Sequence, residues 1–197
     1  MSVDDAGYRM RARYYAALCA AERQQTGARE MLERFVEDYP NSIYLNDVHF
    51  ALGTILEKEG DYQRAYEHLL TVNPHELPYS RIGEYYYRTG HAAYQNGDED
   101  KAYSYFQNCT TDPAYAPHAT YYKAYIDYTR GDLDAAKSGF ASIAELPAYE
   151  PIIPFYLLQI EFRQGNYAYV VEHGVPLLNK ATGAREIEIA RILSEAY

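Results

Sequence analysis

Tryptophan is absent from the 197 residues, and cysteine occurs only at Cys19 and Cys109. Both cysteines sit in helix-like runs and read as small buried thiols. Nothing supports a disulfide between them, and a metal set needs more ligands at closer spacing. No run of about eighteen apolar residues occurs, so no segment reads as a transmembrane helix. No basic block is present. Lys and Arg total 18 against 28 Asp and Glu, a net charge of −10. Phosphate binding needs clustered cations, so nucleic acid and anionic membranes are disfavoured. Met1-Ser2-Val3-Asp4-Asp5 lacks the apolar core of a signal peptide; a segment of a longer protein would begin the same way.

Catalytic motifs are missing as well. The six histidines, His49, His68, His75, His91, His118 and His173, form no His-Glu-x-x-His or comparable metal spacing. There is no Gly-x-Ser-x-Gly elbow and no phosphate-cradling glycine loop. Glu57-Lys58-Glu59 and Asp98-Glu99-Asp100 lie at helix ends or elbows, and acidic residues in a first turn favour the helix dipole, which explains the second run without any catalytic role. The expectation is a protein without enzymatic activity, cofactor or metal.

What is abundant is tyrosine, 24 residues of it. A tyrosine can pack between helices and still reach water with its hydroxyl. The chain is punctuated by Gly60-Asp61-Tyr62, Gly97-Asp98-Glu99, Gly131-Asp132-Leu133 and Gly165-Asn166-Tyr167, whose glycines fall 37, 34 and 34 residues apart. Glycine can take the left-handed conformation that ends a helix, and the Asp or Asn after it can cap the next. Each stretch therefore reads as the elbow of a helix hairpin. Small residues flank the elbows in phase, at Gly53 and Ala65, Gly90 and Ala102, Ala124 and Ala136. A large one follows nine after the elbow at Leu69, Phe106 and Phe140. In the last copy, Leu158, Val170 and Gly174, the pattern decays. The reading gives hairpins at 8–39, 44–72, 79–109, 115–145 and 149–179 and a lone helix at 184–197. These form a single array over 1–197, expected to be a fragment of a longer one, because the last helix, with Ile187, Ala190 and Leu193, is apolar where a partner should lie. Gly174 and Pro176 are expected to kink or shorten the helix that holds them. Asp127 and Glu161 fall four residues before their elbows, so either they pair internally or their helices are rotated by one residue.

The in-phase pattern resembles the tetratricopeptide repeat, a helix–turn–helix unit that builds an all-α, right-handed α-solenoid. Phe35-Val36-Glu37-Asp38-Tyr39-Pro40-Asn41-Ser42-Ile43-Tyr44 further resembles the repeat domains of bacterial cell-envelope proteins, the outer-membrane-assembly lipoproteins and Tol–Pal-associated periplasmic proteins. The family resemblance implies that the first helix of each hairpin lines a concave groove. Carried onto this chain, the inward positions are Phe50 and Thr54, then Tyr87, His91 and Tyr94, then His118, Tyr121, Tyr125 and Tyr128, then Phe155, Gln159 and Phe162. A rotation by one residue would change the set. The family's carboxylate clamp uses Lys, Arg and Asn at such positions; here they are aromatic or neutral, with Asp47, Glu57 and Glu84 nearby. The resemblance implies a protein-interaction scaffold that binds a peptide or partner protein in an aromatic groove, in the envelope or periplasm, with the cytoplasm as the other setting. Many of these tyrosines would also suit plain helix packing, and stacked aromatics would suit a glycan.

Overall fold

The computed structural model describes residues 3–197, with side chains from Asp5 onward. The described residues fold as α-helices joined by short turns: α1 (Val3–Glu22), α2 (Ala28–Asp38), α3 (Leu45–Glu59), α4 (Tyr62–Leu70), α5 (Tyr79–Gln95), α6 (Glu99–Asn108), α7 (Ala116–Arg130), α8 (Leu133–Ile143), α9 (Ile153–Arg163), α10 (Tyr167–Leu178) and α11 (Ala184–Ala196). A single 3₁₀ turn, Pro74–Glu76, leads into α5. The fold is all-α and of the solenoid class. Two compact units divide it, Met1–Ala116 and Pro117–Tyr197. In unit 1 each helix from α1 to α6 packs on the next, except that α3 also touches α1 and α5. In unit 2, α8, α9, α10 and α11 pack in order, and α9 also meets α11.

The elbows explain the repetition. Gly60, Gly97, Gly131 and Gly165 have φ of +83°, +82°, +85° and +77°, where a side chain would be strained. The turn lets the next N–H reach back to a free helix carbonyl: Asp61 to Leu56 O at 2.9 Å, Asp98 to Ala93 O at 3.0 Å, Asp132 to Asp127 O at 2.9 Å and Asn166 to Glu161 O at 2.8 Å. The side chains of the same four residues then accept the amides of Arg64, Lys101, Ala135 and Tyr169. One residue thus closes one helix and caps the next. Removing one such cap by Asp132→Ala should cost about 1 kcal/mol in urea unfolding.

The small residues are where helices touch. A Cβ on Gly90 would lie 2.9 Å from the Phe106 ring, and one on Gly139 would lie 2.8 Å from Ala124 Cβ. The last copy reaches the same end differently. Gly174 leaves space that Leu193 of α11 fills, a Cβ there meeting Leu193 Cδ2 at 2.8 Å. The expected shortening of this helix does not occur: α10 runs through Gly174 and Pro176 to Leu178. Asp127 and Glu161 are buried and paired. Glu161 meets Lys137 Nζ at 2.6 Å and accepts from Asn166 Nδ2 at 2.9 Å, while Lys123 Nζ lies 3.8 Å from Asp127. On α11 the packed face is Ile189, Ile192 and Leu193, whereas Ile187 is 73% exposed. That face is rotated from the expected Ile187–Ala190–Leu193 set.

Candidate functional site

In unit 1 the first helices α3 and α5 carry five of the expected groove side chains, Phe50, Thr54, Tyr87, His91 and Tyr94. Phe50 is a correction. It is fully buried, with the Arg81 guanidinium 4.4 Å from its ring centre, and it belongs to the core. Tyr87 is half-buried and stacks parallel to His91, with centroids 5.8 Å apart. It also lies 5.5 Å from Tyr115 and 6.2 Å from Phe106. Tyr94 is half-buried further along α5.

Behind these rings lies a charged network that sequence reading missed. Buried Glu57 accepts from Arg88 Nη1 at 2.5 Å through one oxygen and meets His91 Nδ1 at 2.5 Å through the other. Arg88 Nε donates to Glu84 Oε1 at 2.8 Å. Burial would lift the Glu57 carboxyl, but the His91 hydrogen bond and the Arg88 charge outweigh it and hold it below its ordinary value. Glu57 and Glu84 are visible in the sequence as acidic neighbours of the groove. Arg88 stands one turn after Glu84 on the same helix, but its link to Glu57 is not legible in the sequence, because it crosses the hairpin interface from 31 residues away.

A cleft of about 600 Å³ opens in the same unit between the α1–α2 elbow, α3 and the start of α5. Its lining mixes apolar Leu18, Ala21, Ala51 and Ile55 with Thr54, Arg29, Lys58, Arg81 and Glu84. Apart from Thr54, the expected groove residues stand outside it. The signal for it lies in α1, whose elbow lacks the Gly-Asp signature. There Gln24, a non-glycine, takes the positive φ of 52°, and the Gln25 N–H still bonds back to Ala20 O at 2.9 Å.

Among the described residues no group of three or more His, Cys, Asp or Glu side chains could hold a metal ion. His49 on α3 and His68 on α4 do meet, Nδ1 to Nδ1, at 2.9 Å. One ring donates and the other accepts, so the pair is suited to neutral imidazoles. Burial, then the neighbouring His68, lowers the His49 pKa. Burial, then the charge of Arg64, lowers that of His68, with Glu33 and Glu67 opposing. Below about pH 6.5 the unfolded chain therefore binds more protons than the folded one. The pair's contribution is complete above that pH and is lost as pH falls towards the folded values. The urea midpoint should drop between pH 7 and pH 5, and should drop less in His68→Gln; an equal drop would discount the pair.

Unit 2 brings together the candidates of α7 and α9. Tyr156, absent from the expected set, is the hub. Its ring lies 6.3 Å from Tyr121, 5.8 Å from Tyr125, 5.8 Å from Tyr128 and 6.0 Å from Phe155. Tyr121 and Tyr156 hydroxyls approach to 3.5 Å, and Tyr128 donates to Gln159 Oε1 at 3.3 Å. His118 Nδ1 meets the Tyr149 hydroxyl at 2.6 Å. Phe162 lies beside Tyr167, 5.9 Å between centroids. Tyr121, Tyr125, Tyr128, Phe155, Gln159 and Phe162 are all half-buried, each partly packed and partly open. Tyr156 stands 35 residues after Tyr121, one beyond the 34-residue step that leads from Tyr121 to Phe155.

Cys109 is an inert thiol. Its Sγ donates to Gly83 O at 3.3 Å, and burial pushes its pKa up to about 11.

Comparison with known proteins agrees with this architecture. Residues 11–42, the hairpin of α1 and α2, match the tetratricopeptide repeat family. No curated protein matches the chain. Among solved structures, one from the functional characterization of Pseudomonas aeruginosa PilF matches with a TM-score of 0.60 and 16% identity, over 95% of this chain and 88% of that one. At that identity the likeness is one of fold. No helix among the described residues is long and apolar enough to cross a membrane.

Proposed function

We propose that the chain is a non-enzymatic scaffold that holds a peptide or partner protein against the aromatic wall of unit 2. Tetratricopeptide repeats generally mediate protein–protein interaction, and residues 11–42 match that family. The observation that carries the reading is the ring cluster of Tyr121, Tyr125, Tyr128 and Tyr156, built by two helices and still partly open. Such rings give contact area at low rotamer cost, and their hydroxyls give polar anchors. The unit 1 candidates Tyr87, His91 and Tyr94 extend the reading to α5, where Tyr87 and His91 also brace the helix interface.

Displayed libraries of short peptides should yield binders whose affinity falls by about 2 kcal/mol in Tyr125→Ala, with helical circular dichroism retained. Unchanged binding in Tyr125→Ala and Tyr128→Ala would reject the wall. Oligosaccharide titration followed by tyrosine fluorescence separates the second reading, a glycan site in a nutrient-uptake accessory module. Saturation by sugars, with no peptide bound, would replace the scaffold by that module. The envelope location rests on the resemblance of Tyr39-Pro40-Asn41-Ser42-Ile43-Tyr44. Recovery of the native protein from cytosol alone would reject the location.

A further inference from the structure

The aromatic wall of unit 2 is bordered by cations, although the whole chain carries a net charge of −10. Arg163 holds its guanidinium 5.1 Å from the Tyr128 ring centre, Arg185 lies 5.7 Å from Phe155, and Arg191 lies 5.7 Å from Phe162. Arg191 is already engaged, by Glu188 at 2.8 Å and Glu195 at 2.5 Å. Arg163 and Arg185 are exposed and, among the described residues, make no ion pair; Arg185 donates from Nη1 to Pro151 O at 3.1 Å.

We propose that this wall takes an extended acidic peptide, whose Asp or Glu carboxylates are received by Arg163 and Arg185. The inference rests on the wall being the binding face. A guanidinium lying over a ring is attracted through its flat face, which leaves its in-plane N–H groups to grip a carboxylate by two parallel bonds. The line from Arg163 through Tyr128, Tyr156 and Phe155 to Arg185 has steps of 5.1, 5.8, 6.0 and 5.7 Å. These steps bound the separation of the two cations from above, and an extended peptide rises about 3.3 Å per residue, so about seven residues are enough to span both. Between them the wall offers rings and hydroxyls, which suit the intervening side chains and carbonyls. The guest's charge is therefore of opposite sign to these two cations and of the same sign as the chain's total. This arrangement rejects cationic partners locally while general repulsion slows non-specific acidic ones.

The test uses the full chain, isothermal calorimetry and an acetylated, amidated heptapeptide of alternating Glu and Tyr, against its counterpart with Gln for Glu. Capped ends remove any terminal carboxylate. The Glu peptide should bind about tenfold more tightly than the Gln peptide. That advantage should shrink as salt is raised. It should vanish in the Arg163→Gln/Arg185→Gln double variant, to which the Glu and Gln peptides should bind alike. Arg163→Lys/Arg185→Lys should keep part of it, since charge remains but the fork is lost. Equal binding of the two peptides by the parent, or an advantage that survives in the glutamine double variant, overturns the arginine assignment. If the Gln peptide still binds and Tyr125→Ala abolishes it, the wall stands without its acidic preference. If neither peptide binds the parent, both the wall and this inference fall.

Discussion

Arg88→Ala should destabilise unit 1 by about 3–5 kcal/mol, the range for removing one partner of a buried ion pair. Arg88 is the cation between two carboxylates, 2.5 Å from Glu57 Oε2 and 2.8 Å from Glu84 Oε1. Glu57 and Arg88 are each less than a tenth exposed. With Arg88 gone, water has little access to replace the lost hydrogen bonds, so Glu57 would hold its charge against a desolvation cost with His91 as its remaining strong partner. The loss should therefore exceed that of any surface pair, such as Arg13 with Asp38, whose exposed side chains contribute little. Pairing the change with Glu57→Gln should recover part of the loss, because the stranded charge is then removed. In the parent, the Glu57 pKa lies below its unfolded value, so its contribution is present above about pH 4.3 and is lost as pH falls through the folded value. Urea unfolding followed at 222 nm measures all three chains. A loss below about 1 kcal/mol for Arg88→Ala would show that the network is not an essential tie between α3 and α5.

The contrast between the elbows and this network explains how much could be read beforehand. An elbow is a local object. Gly60 and Asp61 contain the whole reason for the turn, and the repeat of that pair near every 34 residues gives the hairpins, the caps and the register of small residues. A groove is not local. Whether Phe50 faces in or out depends on how α5 lies across it, and Arg81 of α5 covers its ring. The same holds for Glu161, whose cation Lys137 comes from the preceding hairpin, whereas Lys123 lies only one turn before Asp127 on the same helix. Tyr156 falls 35 residues after Tyr121, one beyond the step that leads to Phe155, so the register carried over from the family pattern passes over it although Tyr121, Phe155 and Tyr156 share one ring cluster. The unit 1 cleft was hidden for another reason. It borders the turn from α1 to α2, which is closed by Gln24 at a φ of 52° and reaches its glycine, Gly27 at +87°, only three residues later, so it lacks the Gly-Asp pair of the other elbows. That hairpin is nevertheless the one within residues 11–42 that matches the repeat family.

Gly53→Ala should cost up to about 3 kcal/mol, and Leu69 should be the reason. A methyl group at Gly53 would sit 2.6 Å from Leu69 Cγ, 2.9 Å from Leu69 Cδ2 and 3.2 Å from Ala65 O. Two of those contacts are shorter than atoms tolerate. Leu69 is fully buried, so its side chain has no free space to swing into, and α3 and α4 must part instead. Against this stands a gain of about 1 kcal/mol from replacing glycine inside a helix. The packing cost outweighs it. Gly7→Ala isolates the gain, since nothing lies within 4 Å of a methyl group there; that variant should be neutral or slightly more stable. Leu69→Ala alone should cost about 2–5 kcal/mol through the cavity it leaves. The decisive measurement is the double variant. On the Leu69→Ala background the new methyl at position 53 enters vacated space, so Gly53→Ala should there cost nothing or restore stability. If Gly53→Ala costs the same in both backgrounds, the strain arises within α3 itself, and the close approach of paired helices is not what the small residues of the repeat are for.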